Sequence, residues 1–92
     1  MQRLHLIVTG EVQGVGFRWY VRRNALALGL CGEVCNRADG TVLVEAEGER
    51  AALEQLAACA AAGPAGAFVE SVDSRWSEGP ARYRDFGIGP TR

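Results

Sequence analysis

The sequence predicts an α+β fold: two helices on one face of an antiparallel sheet, ordered β-α-β-β-α-β, with a short fifth edge strand. Three observations predict it. Apolar residues alternate at period two in several short segments, they recur at helical spacing in two longer ones, and the two kinds of segment interleave along 92 residues. That length suits one compact domain, taken as 1–92, and with 48% of the residues apolar the chain has enough to bury a core.

Each element has its own signal. Leu4, Leu6 and Val8 alternate with Arg3, His5 and Thr9, interrupted by Ile7, which gives a strand over about 3–10. After a glycine-rich turn, Phe17, Val21, Ala25 and Leu28 recur at helical spacing with Tyr20 and Asn24 alongside, predicting a helix over about 17–28. Gly29 is placed for a left-handed cap, with Leu30 folding back on the last turn. Strands over about 30–37 and 41–47 follow, joined by Ala38-Asp39-Gly40, a strong hairpin signal. In the second of them Val42, Val44 and Ala46 share one face; Thr41, Leu43, Glu45 and Glu47 share the other. Gly48 opens a helix over about 49–62 with a buried stripe of Leu53, Leu56, Ala57 and Ala60, stopped by Gly63-Pro64. A fourth strand over about 67–76 and a fifth over about 83–88, carrying Phe86 and Ile88, complete the chain.

This is the ferredoxin-like arrangement. Its connectivity bears on function. A helical crossover makes the first two strands run the same way, so their C-terminal ends emerge on one edge of the sheet. With one strand between them, those ends lie about 10 Å apart. The turn at 11–17 and the stretch at 35–37 therefore face a common site.

Composition narrows the chemistry. A formal net charge of −1 points to neither a nucleic acid nor an anionic membrane as partner. No apolar run approaches the eighteen or so residues needed to cross a bilayer. The first ten residues lack a small-residue cleavage site and read as a strand, which predicts a soluble, cytoplasmic protein. All 10 basic residues are arginines, so a P-loop or Schiff-base lysine is excluded and any anion site must use guanidinium or backbone N–H groups. Cys31, Cys35 and Cys59 form no disulfide framework, since the first two lie about 13 Å apart along one strand. His5, the single histidine, is far in sequence from a zinc-forming partner set, so no metal and no cofactor are expected.

Two places carry chemistry. The turn Glu11-Val12-Gln13-Gly14-Val15-Gly16-Phe17-Arg18 leads from a strand straight into a helix, whose start offers free N–H groups and partial positive charge to an anion. Arg18, in the first helical turn, is unfavourably placed unless Glu11 offsets its charge or an anion sits between its guanidinium and the helix. The turn is no dinucleotide fingerprint, because Trp19 takes the third glycine's place. By geometry alone it is equally a tight strand-to-helix turn with a surface arginine. The second place is Asn36, which ends strand two. Asparagine there is commonly a turn former, yet the parallel course of strands one and two brings it towards the first turn, and an amide can orient water. Arg37 beside it adds positive potential or faces solvent.

At these residues the chain resembles the acylphosphatase family. Residues 10–18 are similar to its first signature almost position for position, and Gly32-Glu33-Val34-Cys35-Asn36-Arg37-Ala38-Asp39-Gly40-Thr41-Val42 to its second. Gly48, Gly63-Pro64, Tyr83, Phe86 and Ile88 extend the likeness over nearly the whole chain. The resemblance implies hydrolysis of small-molecule acyl phosphates to carboxylate and phosphate without a metal. It implies that Arg18 binds phosphate with backbone N–H groups of Gln13, Gly14, Val15, Gly16 and Phe17, and that Asn36 orients water. Cys35 departs from the longer polar residue that many members carry there. Such small domains are expected to act as monomers. Two other readings remain open: an RNA reader, against which stands the lack of strand aromatics (His5, Ile7, Leu43 and Glu45 occupy those places), and a phosphate-binding domain without turnover.

Overall fold

The computed structural model describes residues 1–92. It orders them as β1 (Gln2–Glu11), α1 (Phe17–Ala27), β2 (Cys31–Asn36), β3 (Val42–Gly48), α2 (Arg50–Ala62), β4 (Phe68–Glu78) and β5 (Phe86–Ile88). The strands form one sheet, β4-β1-β3-β2-β5. Pairings of β1 with β3 and β4, and of β2 with β3, are antiparallel. β3 thus separates β1 from β2, which run parallel and end on the same edge.

Alternation decides the two faces. Leu4, Leu6 and Val8 of β1, Val34 of β2 and Val42, Val44 and Ala46 of β3 are all buried beneath the helices. Helix α1 lies over β2 and β5; α2 lies over β1 and β4. Phe17, Val21 and Ala25 of α1 meet Leu53, Leu56 and Ala60 of α2 in a single apolar cluster. The end of α1 closes as expected: Gly29 takes φ 72°, its N–H donates to Leu26 O, and Leu30 N–H donates to Ala25 O at 2.9 Å. That fold-back buries the Leu30 side chain. No helix is long and apolar enough to cross a membrane.

Two features differ from the sequence expectation. First, β5 is shorter than expected and parallel to β2, with Gly32 opposite Phe86 and Val34 opposite Ile88, so the sheet is mixed. The reason is the path of residues 79–85. They cross from the end of β4 to the Cys31 end of β2, and the chain must then run alongside β2 rather than against it. Second, Glu47 lies on the helix-free face as its alternation predicts, but that position is covered and the residue is 1% exposed. The crossing segment covers it: the N–H groups of Arg82 and Tyr83 both donate to Glu47 Oε1 at 2.8 Å, and Arg3 Nε lies 3.5 Å from Oε2. Arg3 also donates to Pro80 O at 2.6 Å. One carboxylate therefore staples the approach to β5 onto the sheet. Glu47→Ala would strand two N–H groups and a largely buried guanidinium, and a loss of about 3 kcal/mol is expected in urea denaturation.

Candidate active site

Between β1 and α1 the backbone turns through two left-handed glycines, Gly14 at φ 75° and Gly16 at φ 77°, separated by Val15 at negative φ. Nothing lies within 4 Å of where a Cβ would stand on either, so backbone conformation rather than crowding calls for glycine. Alternation of this kind turns successive N–H groups to one side as an anion-binding nest. Here none of the N–H groups from Gln13 to Trp19 finds an acceptor in the protein; the first to bond is that of Tyr20, to Gly16 O at 3.1 Å. The helix start has neither a side-chain cap nor an acidic residue in its first turn. Its partial positive charge is left uncompensated by the protein.

The nest is held at three points. Val12 and Phe17 are each 1% exposed and fix its two ends in the core. Gln13 Nε2 donates to Arg37 O at 2.8 Å and Thr41 O at 2.9 Å, tying the loop to the β2–β3 hairpin. The sequence reading treats Gln13 as a source of backbone N–H alone and misses this side-chain pin. Nothing in the spacing signals it, because it spans two segments that meet only in the fold.

The helical wheel places Arg18. Tyr20 and Asn24 face α2, where the Tyr20 hydroxyl donates to Cys59 O at 2.8 Å. Arg22, one turn after Arg18, lies on the opposite flank and donates to Phe86 O at 3.0 Å. Arg18 therefore sits over the β2 side. It is half-buried and enters none of the molecule's ion pairs. Glu11 does not offset its charge: it is exposed at the end of β1, opposite Phe68, and pairs with no arginine.

Asn36 closes β2 opposite Val42, on the helix-facing side. Its main-chain oxygen accepts from Arg92 N–H at 2.9 Å, and Ala38 N–H donates to Arg92 O at 2.6 Å, so this strand end is bracketed by the chain terminus. The side-chain Oδ1 is buried, and no protein group donates to it. An unpaired buried acceptor costs about 1–3 kcal/mol, which an apolar residue would avoid. Cys35 points to the other face, where burial pushes its thiol up and keeps it protonated. Arg37 is bound 3.5 Å from Asp39. The hydroxyl and N–H of Thr41 both donate to Asp39, at 2.6 and 3.0 Å, and hold its carboxyl below the ordinary value. The turn itself is a three-residue loop: Arg37 N–H donates to Thr41 O, Gly40 N–H to Arg37 O.

The nest follows β1, the unpaired Arg18 guanidinium rises from the first turn of α1, and the unpaired amide oxygen ends β2, with only β3 between the two strands. A nest with an arginine suits a phosphoryl group. No cluster of three or more His, Cys, Asp or Glu side chains converges anywhere. A sequence profile of the acylphosphatase family matches residues 4–88. The chain belongs to the acylphosphatase family. It is 44% identical over 87 residues to an acylphosphatase of Salinibacter ruber, covering 95% of this chain and 92% of that one. The fold superposes on the crystal structure of acylphosphatase from Bacillus subtilis with a TM-score of 0.93 at 35% identity, covering 97% of this chain and 99% of that one. It also superposes on full-length HypF in its phosphate- and nucleotide-bound form, with a TM-score of 0.86 at 30% identity, over 99% of this chain but 12% of that one. Acylphosphatase activity, hydrolysis of an acyl phosphate, is therefore the chemistry of this chain.

Proposed function

We propose that residues 1–92 act as one monomeric, cytoplasmic acylphosphatase unit. In it the N–H groups of Gln13, Gly14, Val15, Gly16 and Phe17 and the Arg18 guanidinium hold the phosphoryl group, and Asn36 aims the attacking water. What carries this reading is the run of partnerless N–H groups at 13–19 beside an arginine with no counter-ion. A phosphoryl dianion would satisfy both at once. The positive charge needed on its equatorial oxygens then comes from backbone and guanidinium, so the reaction asks for no metal.

Hydrolysis is a single in-line displacement. The water oxygen bonds to phosphorus as the bond from phosphorus to the acyl oxygen breaks; that electron pair leaves on the carboxylate, and the water's proton passes to a phosphoryl oxygen. The leaving carboxylate has a conjugate acid with a pKa of about 4–5, so no general acid is required. Asn36 Oδ1, buried and without a protein donor, supports a role in accepting one hydrogen from that water and fixing its line of attack. Hydrolysis of benzoyl phosphate in EDTA tests the proposal. Turnover is expected to persist undiminished; activity lost on chelation and restored by a divalent metal would overturn it.

A further inference from the structure

We infer that the acyl part of the substrate lies in the groove between α1 and Pro64, and that Arg23 there favours acyl groups carrying a second carboxylate. This rests on the phosphoryl site proposed above. In-line displacement fixes the direction: water approaches from the β2 side, where Asn36 stands, so the acyl oxygen departs on the opposite side. That side is the α2 flank, since α1 lies over β2 and β5 and α2 over β1 and β4. A shallow groove of about 480 Å³ crosses the outer face of α1, from Tyr20 and Pro64 on that flank to Arg22 on the other, with Gly16, Trp19 and Arg23 completing its lining. It starts at Gly16, the last glycine of the nest.

Two of the lining side chains are held in place by hydrogen bonds to main-chain oxygens, and Arg23 is left free to meet an anion. Tyr20 is fixed through its hydroxyl bond to Cys59 O. Trp19 is 64% exposed, and Arg22 approaches its ring at 5.9 Å while itself bound to Phe86 O. Burial and then the nearby Cys59 push the Tyr20 hydroxyl up, and Arg23 acts the other way, which sets the Arg23 charge close to that side chain. Arg23 itself is exposed and enters no ion pair. The molecule's other groove, of about 430 Å³, is lined by Glu11, Asp39 and Glu70 beside Thr9, Thr41 and Phe68. Thr9 and Thr41 face away from the helices, and three carboxylates there would repel a second negative charge.

The test compares kcat/KM for succinyl phosphate and acetyl phosphate, which differ by the distal carboxylate, in the parent enzyme, Arg23→Gln and Arg75→Gln. Arg75 removes the same unit of charge from β4, on the face away from the helices. The succinyl-to-acetyl ratio is expected to fall about three- to fivefold in Arg23→Gln, the scale of one exposed ion pair, and to hold in Arg75→Gln. An unchanged ratio in Arg23→Gln, or an equal fall in both variants, would overturn the groove assignment. Because each ratio is internal to one protein preparation, partial misfolding cancels. Failure of the underlying phosphoryl site has a separate signature: Arg18→Ala would then turn over both substrates normally.

Discussion

Arg18→Ala is expected to lower kcat/KM for benzoyl phosphate by about 10³–10⁴-fold and to leave the fold as stable as before or slightly more so. On the proposed reading one guanidinium carries the only full positive charge at the phosphoryl group, and single arginines in phosphoryl transfer are worth about 10³–10⁵ in rate. The nest survives in the variant, because it is made of backbone N–H groups set by Gly14 and Gly16. Some turnover therefore remains, and inhibition by inorganic phosphate weakens with it. Stability moves the other way. A cation in the first turn of α1 is unfavourable by about 0.3–1 kcal/mol, and Arg18 has no ion pair to set against that. Steady-state kinetics with a urea denaturation curve checks both halves. An arginine that was merely structural would show the reverse, near-normal turnover and a loss of stability.

The second large effect is expected at Asn36. Asn36→Ala should reduce kcat by about 10²-fold with little change in KM, since it removes the aim of the water and not the grip on the phosphoryl group. It also removes a buried oxygen that accepts nothing from the protein, so stability is expected to hold or to rise by about 1 kcal/mol. Asn36→Asp separates orientation from polarity: an added negative charge beside the phosphoryl site should raise KM as well as lower kcat. A KM that rose in Asn36→Ala with kcat intact would move this side chain from the water to the substrate. The two alanine variants share one pattern, activity lost while stability is kept, which is what residues held for function at a cost to the fold produce.

Much of this was legible in the chain itself. The period-two runs in β1 and β3 and the Phe17-Val21-Ala25 stripe are local patterns that burial enforces, and the cap at Gly29 with Leu30 folded back follows from short-range sterics. The meeting of the 11–17 turn with the end of β2 at 36–37 was legible too, because handedness and strand order leave few places for β2 to end. What escaped was decided by contacts between segments distant in sequence. Glu47 alternates correctly for an outward strand position, yet a segment about 35 residues later supplies two N–H donors that bury it. The direction of β5 depends on the end of the sheet at which that same segment arrives. Gln13 reads as one more residue of a turn, and its amide matters only because the hairpin carbonyls of Arg37 and Thr41 come within reach.

That amide bridge fixes the spacing between the two halves of the proposed chemistry. The cradle hangs from β1 and α1, the water-aiming group from β2, and Gln13 clamps one to the other through the turn that begins right after Asn36. The caliper is set when the chain folds, before any substrate arrives. An enzyme with its jaws already gauged can work from an open, lidless surface, and its turnover need not wait on a closing motion.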